Sequence, residues 1–213
     1  MRLSEKTLEL NLCSQIAAAQ AQRIIWFGLT QTQEARAGFD ACTRINGRIL
    51  ILQFKSSNQF VRGARRFRIP HEQLVKLRWR SRRRLRRAIY FVLPNLGTTE
   101  EFTENSDLLP QTYLFAPISL RRVFRPTTLT GARRASGEHH LDLNPPEAVL
   151  RSKPVPLKTL NLTQEILSLF SQAPYIRRAF ENVEEFMAIR ALLPRKSIGV
   201  IVPGEPISTS NGQ

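Results

Sequence analysis

The sequence predicts an α/β fold: a mixed β-sheet flanked by helices, with a helical C-terminal extension. Three observations predict it. Helix-period and strand-type segments alternate through the first half of the chain, the pattern of a sheet covered by helices. An Asn46-Gly47 pair stands between two apolar runs, the strongest short-range signal for a hairpin. A helical pattern returns at 163–191, after a middle rich in proline and glycine.

Each element follows from local pattern. Residues 4–22 read as the first helix: Ser4 suits the N-cap, Leu8, Leu12 and Ile16 recur at helical spacing, and Glu5 and Glu9 lie one turn apart. Residues 24–29 form an apolar run of strand character, followed by a polar connection that carries Glu34. The hairpin occupies 38–57, "GFDACTRINGRILILQFKSS". Pro70 opens a second helix, with Leu74, Leu77 and Leu85 facing inward. "AIYFVLP" at 88–94 and "TYLFAPI" at 112–118 are short buried strands, and 95–111 between them is polar and turn-like.

From 121 to 160, Gly131, Gly137 and five prolines break the pattern, so this stretch is expected to be an irregular loop or linker. Arg121, Arg122, Arg125, Arg133 and Arg134 make it basic. Helices follow at 163–191 with an interruption at Pro174, then a last strand "SIGVIVP" and a frayed tail from 208. The expected organisation is a core at 1–120, an irregular basic linker at 121–160 and a helical extension with its tail at 161–213. The extension would pack on the core, form a homodimer or bind a partner protein.

Composition bounds the function. The 213 residues are 42% hydrophobic with 12 Phe, enough for one domain with a core. Lys and Arg number 32 against 17 Asp and Glu, a formal charge of +15. Such a surplus points to a polyanion, nucleic acid before an anionic membrane. Cys13 and Cys42 are the only cysteines, too few for a disulfide framework or a thiolate zinc site. Residues 1–6 have no signal-peptide pattern, and no apolar run reaches the ~18 residues of a membrane span. A soluble, cytoplasmic protein with reduced thiols is expected.

The hairpin carries the chemistry. A two-residue turn at Asn46-Gly47 sets Ile45 opposite Arg48, and by the same count Asp40 opposite Gln53 and Gly38 opposite Lys55. Residues two apart share a face, so Asp40, Gln53 and Lys55 converge at the end of the hairpin away from the turn. The other face, with Phe39, Ala41, Leu50, Leu52 and Phe54, reads as core. Burying an acid, an amide and an amine costs several kcal/mol unless they are paired or bind something. An Asp40–Lys55 ion pair with Gln53 as hydrogen-bond partner is the structural explanation. The functional one is a Mg²⁺ site, since two oxygen ligands and a lysine can hold that ion and steer a water.

These residues resemble the PD-(D/E)xK nuclease superfamily, with its restriction-endonuclease-like fold. The matching positions are Asp40 in "GFDA" and the Q-F-K run from Gln53 to Lys55. Glu9 in "SEKTLELNL" matches the helix acid that many members add, and the layout is similar to Mrr-like and archaeal Holliday-junction-resolvase cores. The likeness covers the chain to about residue 118. It implies a Mg²⁺- or Mn²⁺-dependent endonuclease acting on DNA in restriction, phage defence or recombination. Glu9, Asp40 and Gln53 would hold the metal, and Lys55 would position the attacking water. Position 53 departs from the pattern: it is Gln where the family has Asp or Glu, so one negative charge is lost. Glu34 is a further acid that would compensate, ranked behind Glu9.

A basic arm follows the hairpin. Residues 62–87 hold twelve basic side chains and one acid, Glu72. Arg62, Arg65, Arg66, Arg68, Lys76, Arg78, Arg80, Arg82, Arg83 and Arg84 are the expected phosphate contacts, which position a nucleic acid without reading its sequence. Trp79 is a stacking candidate with packing as its alternative, and His71, His139 and His140 read as surface or loop histidines. A non-catalytic nucleic-acid-binding protein that keeps the nuclease fold is the alternative function. A polybasic helix lying on a membrane is a third.

Overall fold

The computed structural model of the chain describes residues 1–19, 24, 26–29, 32, 34, 37–45, 48–83, 89–123, 137–152 and 156–171. The Asn46-Gly47 turn itself, Leu85, and the helices and strand expected beyond 171 lie outside these residues.

The elements in chain order are α1 (Glu5–Ala18), β1 (Phe27–Gly28), β2 (Ala41–Ile45), β3 (Arg48–Phe54), β4 (Phe60–Val61), β5 (Ala64–Pro70) and α2 (His71–Arg83). They continue with β6 (Ile89–Pro94), α3 (Thr99–Glu104), β7 (Thr112–Phe115), a 3₁₀ turn (Pro117–Ser119), β8 (Glu138–Asn144), β9 (Glu147–Leu150), β10 (Pro156–Lys158), β11 (Leu160–Asn161) and α4 (Leu162–Ser171). The mixed α/β class is as expected. The described strands build two sheets: a six-stranded one in the order β1-β2-β3-β6-β7-β11 and a five-stranded one in the order β10-β9-β8-β5-β4.

The six-stranded sheet is mixed because β3 and β6 run parallel while its other pairs are antiparallel. Both of its faces are buried, which explains the near-continuous apolar runs of β3 and β6. One face packs Ala41, Leu50, Leu52, Phe54, Tyr90 and Val92 against Leu8, Leu12 and Ile16 of α1 and Ile166 of α4. The opposite face packs Cys42, Ile49, Ile51 and Phe91 against Leu74 and Leu77 of α2 and against Phe67, Ile69 and Leu141 of the second sheet. Ser4 caps α1, its Oγ accepting the Thr7 N–H at 3.0 Å.

The hairpin register is as counted. Ala41 pairs with Leu52, Cys42 with Ile51, Thr43 with Leu50, Arg44 with Ile49 and Ile45 with Arg48. The count ends at Ala41: strict alternation would aim the Asp40 N–H at the β1 side, but it donates to the carbonyl of Leu52, at 3.1 Å. Gly38 follows with a φ of +78°, a left-handed conformation that suits glycine. Strand alternation therefore lapses, and Phe39 packs on the α2 face instead of the Ala41 face expected for it.

Three segments differ from expectation. Residues 95–111 contain a helix, α3, opened by a capping box in which Thr98 and Glu101 satisfy each other's backbone N–H groups. Pro70 ends β5 rather than opening α2. The stretch 138–158, expected to be irregular, supplies β8, β9 and β10. Its prolines do not break the strands, since Pro145 and Pro146 form the two-residue link between Asn144 and Glu147. After it, β11 returns to the first sheet beside β7, so that sheet draws on residues beyond 120.

Candidate active site

The strand ends place the polar residues of the hairpin. Asp40 sits in the bend before β2, and its Oδ2 accepts the Phe54 N–H at 2.6 Å and the Gln53 amide Nε2 at 2.7 Å. A side-chain carboxylate thus replaces the backbone carbonyl that the ladder would have offered. Gln53 closes its second amide hydrogen on the carbonyl of Phe54 at 3.2 Å. These two acceptors fix the amide's orientation, because turning it would set its oxygen against theirs. The Gln53 Oε1 is left buried with no hydrogen-bond partner among the described residues.

Lys55 continues the parallel ladder past β3, its N–H donating to Val92 at 3.0 Å. Its side chain is buried, and Nζ lies 3.4 Å from both carboxylate oxygens of Glu5 at the start of α1. The Asp40–Lys55 ion pair is therefore not the arrangement found: among the described residues Lys55 is paired with Glu5, while Asp40 is held by Gln53 and a backbone N–H. The Lys55 charge is nonetheless close enough to lower the Asp40 pKa.

The site is an interleaved cluster of acids and amines. Burial raises the Asp40 carboxyl to about 7; the Phe54 N–H and Lys55 oppose the rise, and Glu5 and Glu34 add to it. Glu34 is raised mainly by burial, with Lys6 opposing and Glu9 and Glu5 adding. Its carbonyl accepts the Gly38 N–H at 2.6 Å, which ties it to the chain entering Asp40. Glu9 is buried at 6% exposure and takes the Lys6 ammonium at 2.8 Å. The structure thus brings Asp40, Gln53 and Lys55 together. It sets Glu5 rather than Glu9 among the charges felt most at Asp40.

Glu5 and Lys6 are the residues sequence reasoning left out. The signal was present: Glu5 and Glu9 stand at i and i+4 and share a helix face. Among the described residues no three His, Cys, Asp or Glu side chains gather closely enough to hold a metal ion by themselves. The donor set at Asp40 is instead one carboxylate and one amide oxygen, with Glu5 of α1 and Glu34 near enough to act on the carboxyl. All are hard oxygens of the kind Mg²⁺ takes, and Oε1 of Gln53 is a buried acceptor that none of the described residues satisfies. The donor chemistry fits a hard divalent cation.

The expected phosphate contacts divide. Arg62 and Arg68 are exposed on the second sheet and Arg82 is exposed on α2. Arg66 is ion-paired to Asp142. Arg65 points inward at 1% exposure, donating to the Ser57 carbonyl at 2.6 Å and to Glu101 at 2.8 Å, with its guanidinium 4.2 Å from the Phe60 ring centroid. Its guanidinium is thus engaged inside the fold, by groups of the chain itself. Arg78 is similarly engaged, capping the carbonyls of Leu120 and Arg121 at the 3₁₀ turn. Lys76 lays its stem against Gly38, and burial lowers the pKa of Arg80. The side chain of Arg83 and all of Arg84 lie outside the described residues.

Trp79 is 53% exposed. The histidines are not loose: His71 Nδ1 is 2.9 Å from His139 Nε2, and His139 Nδ1 is 2.7 Å from Ser152 Oγ. No helix among the described residues is long and apolar enough to cross a membrane. Comparison with protein-family models, with curated proteins and with solved structures finds no match to the chain.

Proposed function

We propose that the chain is a Mg²⁺- or Mn²⁺-dependent endonuclease that hydrolyses DNA phosphodiester bonds, built on a restriction-endonuclease-like core of the PD-(D/E)xK type. The observation that carries this reading is the buried Oε1 of Gln53, unpartnered among the described residues, on an amide bonded to Asp40 and two residues from Lys55 along the strand end. A purely structural amide would have spent that oxygen.

Asp40 and Gln53 would hold the cation, with an acid of α1 completing the set: Glu9 by the family pattern, Glu5 by the charges felt at Asp40. A bound divalent cation supplies an acidified water and offsets charge on the attacked phosphate. The chain's own part is positional. The Phe54 N–H fixes the Asp40 carboxylate, and the Asp40–Gln53 hydrogen bond fixes the amide. Glu5 holds the Lys55 ammonium at the same strand end, where it orients the attacking water. Hydrolysis joins the water oxygen to phosphorus and breaks one ester P–O bond, and the departing oxygen takes a proton. The net charge of +15 supports a polyanionic substrate.

A second reading has its own support. The acids of α1 are already matched with amines, Glu5 with Lys55 and Glu9 with Lys6, as in a retired site kept for structure. The chain would then bind nucleic acid without cutting it. Incubation with plasmid, branched and single-stranded DNA, in Mg²⁺, Mn²⁺ or EDTA, separates the two. Metal-dependent cleavage that Asp40→Ala and Lys55→Ala abolish supports the nuclease. A wild-type protein that binds DNA and never cuts it with either metal leaves only the second reading.

A further inference from the structure

The five-stranded sheet carries a second cluster, remote in kind from the acidic one. Alternation along β5 turns Phe67 and Ile69 inward and leaves Arg66 and Arg68 on the outer face. On β8 it turns His139, Leu141 and Leu143 inward, and leaves His140 and Asp142 outward. Arg66 pairs across the strands with Asp142, and Arg68 with His140. Arg151, just past β9, donates its backbone N–H to the carbonyl of His140 at 2.9 Å.

One carboxylate orders two guanidiniums here. Asp142, 4% exposed, takes Arg66 through Nε at 2.7 Å and Nη2 at 3.0 Å, and takes Arg151 through Nε at 2.5 Å. Both arginines hold its carboxyl below the usual carboxylate range against the effect of burial. Two positive charges on one negative leave a surplus. The Nη1 of Arg66 and both Nη of Arg151 make no hydrogen bond among the described residues. Arg62 adds a third guanidinium from the tight turn between β4 and β5, where its φ is +53°.

These groups line a shallow groove of about 320 Å³, bounded by Val61, Arg62, Arg66, His140 and Arg151, with no acid in its wall. His140 lines it as well, and its Nδ1 is buried with no partner among the described residues. Three guanidiniums around one concavity, with an imidazole beside them, suit an anion with several oxygens. Arginine's planar fork matches phosphate bidentately, and pre-ordering by Asp142 removes part of the entropy lost on binding. The neighbouring recess adds Asp142 and Glu147 to its lining and is less suited to an anion.

We infer that this groove on the outer face of the five-stranded sheet is a phosphate-binding site that seats the backbone of a nucleic acid. It rests on the proposed function only for the identity of the polyanion, since the groove itself is defined without the acidic cluster. It also assigns a role to Arg151 and His140, which lie in the stretch expected to be a loose linker.

The test uses the full chain in EDTA, so that no cleavage intervenes. Binding of a fluorescent short DNA duplex is followed by anisotropy across a salt series, with Arg62→Gln and Arg151→Gln. Arg62→Gln leaves the Asp142 pairs intact, so it reports on binding even if Arg151→Gln unfolds. Each lost phosphate contact lowers the slope of log affinity against log salt by about 1. In parallel, the His140 ring signals are followed by NMR on adding the duplex or inorganic phosphate. The expected result is a slope lower by about 1 in each folded variant, with His140 shifting in the wild type on adding duplex. Movement of His140 with inorganic phosphate and not with duplex overturns the nucleic-acid assignment. Wild-type slopes in both folded variants, or no shift with either probe, overturn the site. Binding through this groove without cleavage under any metal would defeat the nuclease reading and leave the groove standing.

Discussion

Gln53 gives its amide nitrogen to Asp40 Oδ2 at 2.7 Å and keeps its own Oε1 buried and unpartnered. The amide therefore does what a carboxylate at position 53 cannot: it donates to its acidic neighbour. Gln53 makes the pair self-consistent without a cation, with one negative charge and one donor instead of two facing acids. Its cost is one charge fewer with which to hold a cation.

Gln53→Glu tests this exchange. Without metal, two carboxylates would share the pocket and one must keep a proton. The variant should lose about 2 kcal/mol in EDTA, the scale of a lost hydrogen bond to a charged group. Mg²⁺ should restore more stability to it than to the wild type. Thermal unfolding with and without Mg²⁺ reads both numbers. An equal response of the two proteins to Mg²⁺ would mean that no ion sits between residues 40 and 53.

The Asp40 carboxyl gives a pH dependence of known sign. Burial raises it from 3.8 to about 7, against the pull of the Phe54 N–H and Lys55. Between those values the folded chain holds a proton that the unfolded chain has released. The group therefore favours folding below its unfolded pKa, and that contribution fades as the pH climbs to about 7. Asp40→Asn removes this slope, so the stability difference between wild type and variant should change from about pH 4 to pH 7 and then level off. Urea unfolding across that range measures it. Because a cation competes with the proton, stabilisation of the wild type by Mg²⁺ should grow through the same window. A pH-independent difference would place Asp40 in a far more polar setting than this one.

The Asn-Gly turn made the register legible, since a two-residue turn fixes every pair by counting, and five pairs follow the count. The count could not show that Asp40 leaves the ladder, because that depends on a carboxylate capturing the Phe54 N–H. Nor could it choose between Glu5 and Glu9. Both lie on one helix face, and which of them meets Lys55 depends on where the start of α1 docks, a tertiary matter. The second sheet was hidden by its polar residues. In β5 the arginines 65, 66 and 68 obscured the alternation of Phe67 and Ile69. In β8 the run "EHHLDLN" alternates well enough, but the prolines after it read as breakers when they are a turn.

Gly97 is required for space. A Cβ there would overlap the Ser57 carbonyl and the Arg65 guanidinium, and the carbonyl is backbone that cannot swing aside. The Gly97 N–H also donates to Glu101 Oε2 at 2.6 Å, so the loop is held from both sides. Gly97→Ala should destabilise the chain by about 3 kcal/mol, the upper end for overpacking. Chemical denaturation would show it as a lower midpoint with unchanged m-value. A wild-type midpoint would mean that this loop and the Ser57 strand end are not packed as described.

Arg65 and Arg68 lie three residues apart on β5 and should behave oppositely. Arg65 is 1% exposed and bonded to Ser57, Asn95 and Glu101, whereas Arg68 is exposed on the outer face. Arg65→Met strips a buried carbonyl and a carboxylate of their donor, and should cost about 3 kcal/mol. It should leave the salt dependence of DNA binding unchanged in the fraction that remains folded. Arg68→Gln should leave the unfolding midpoint in place and, where a phosphate reaches that face, lower the salt slope by about 1. Unfolding curves and salt-series anisotropy on the two variants give all four values. A reduced slope for folded Arg65→Met would show that this side chain turns outward to meet the nucleic acid, and would return it to the set of phosphate contacts expected from the sequence.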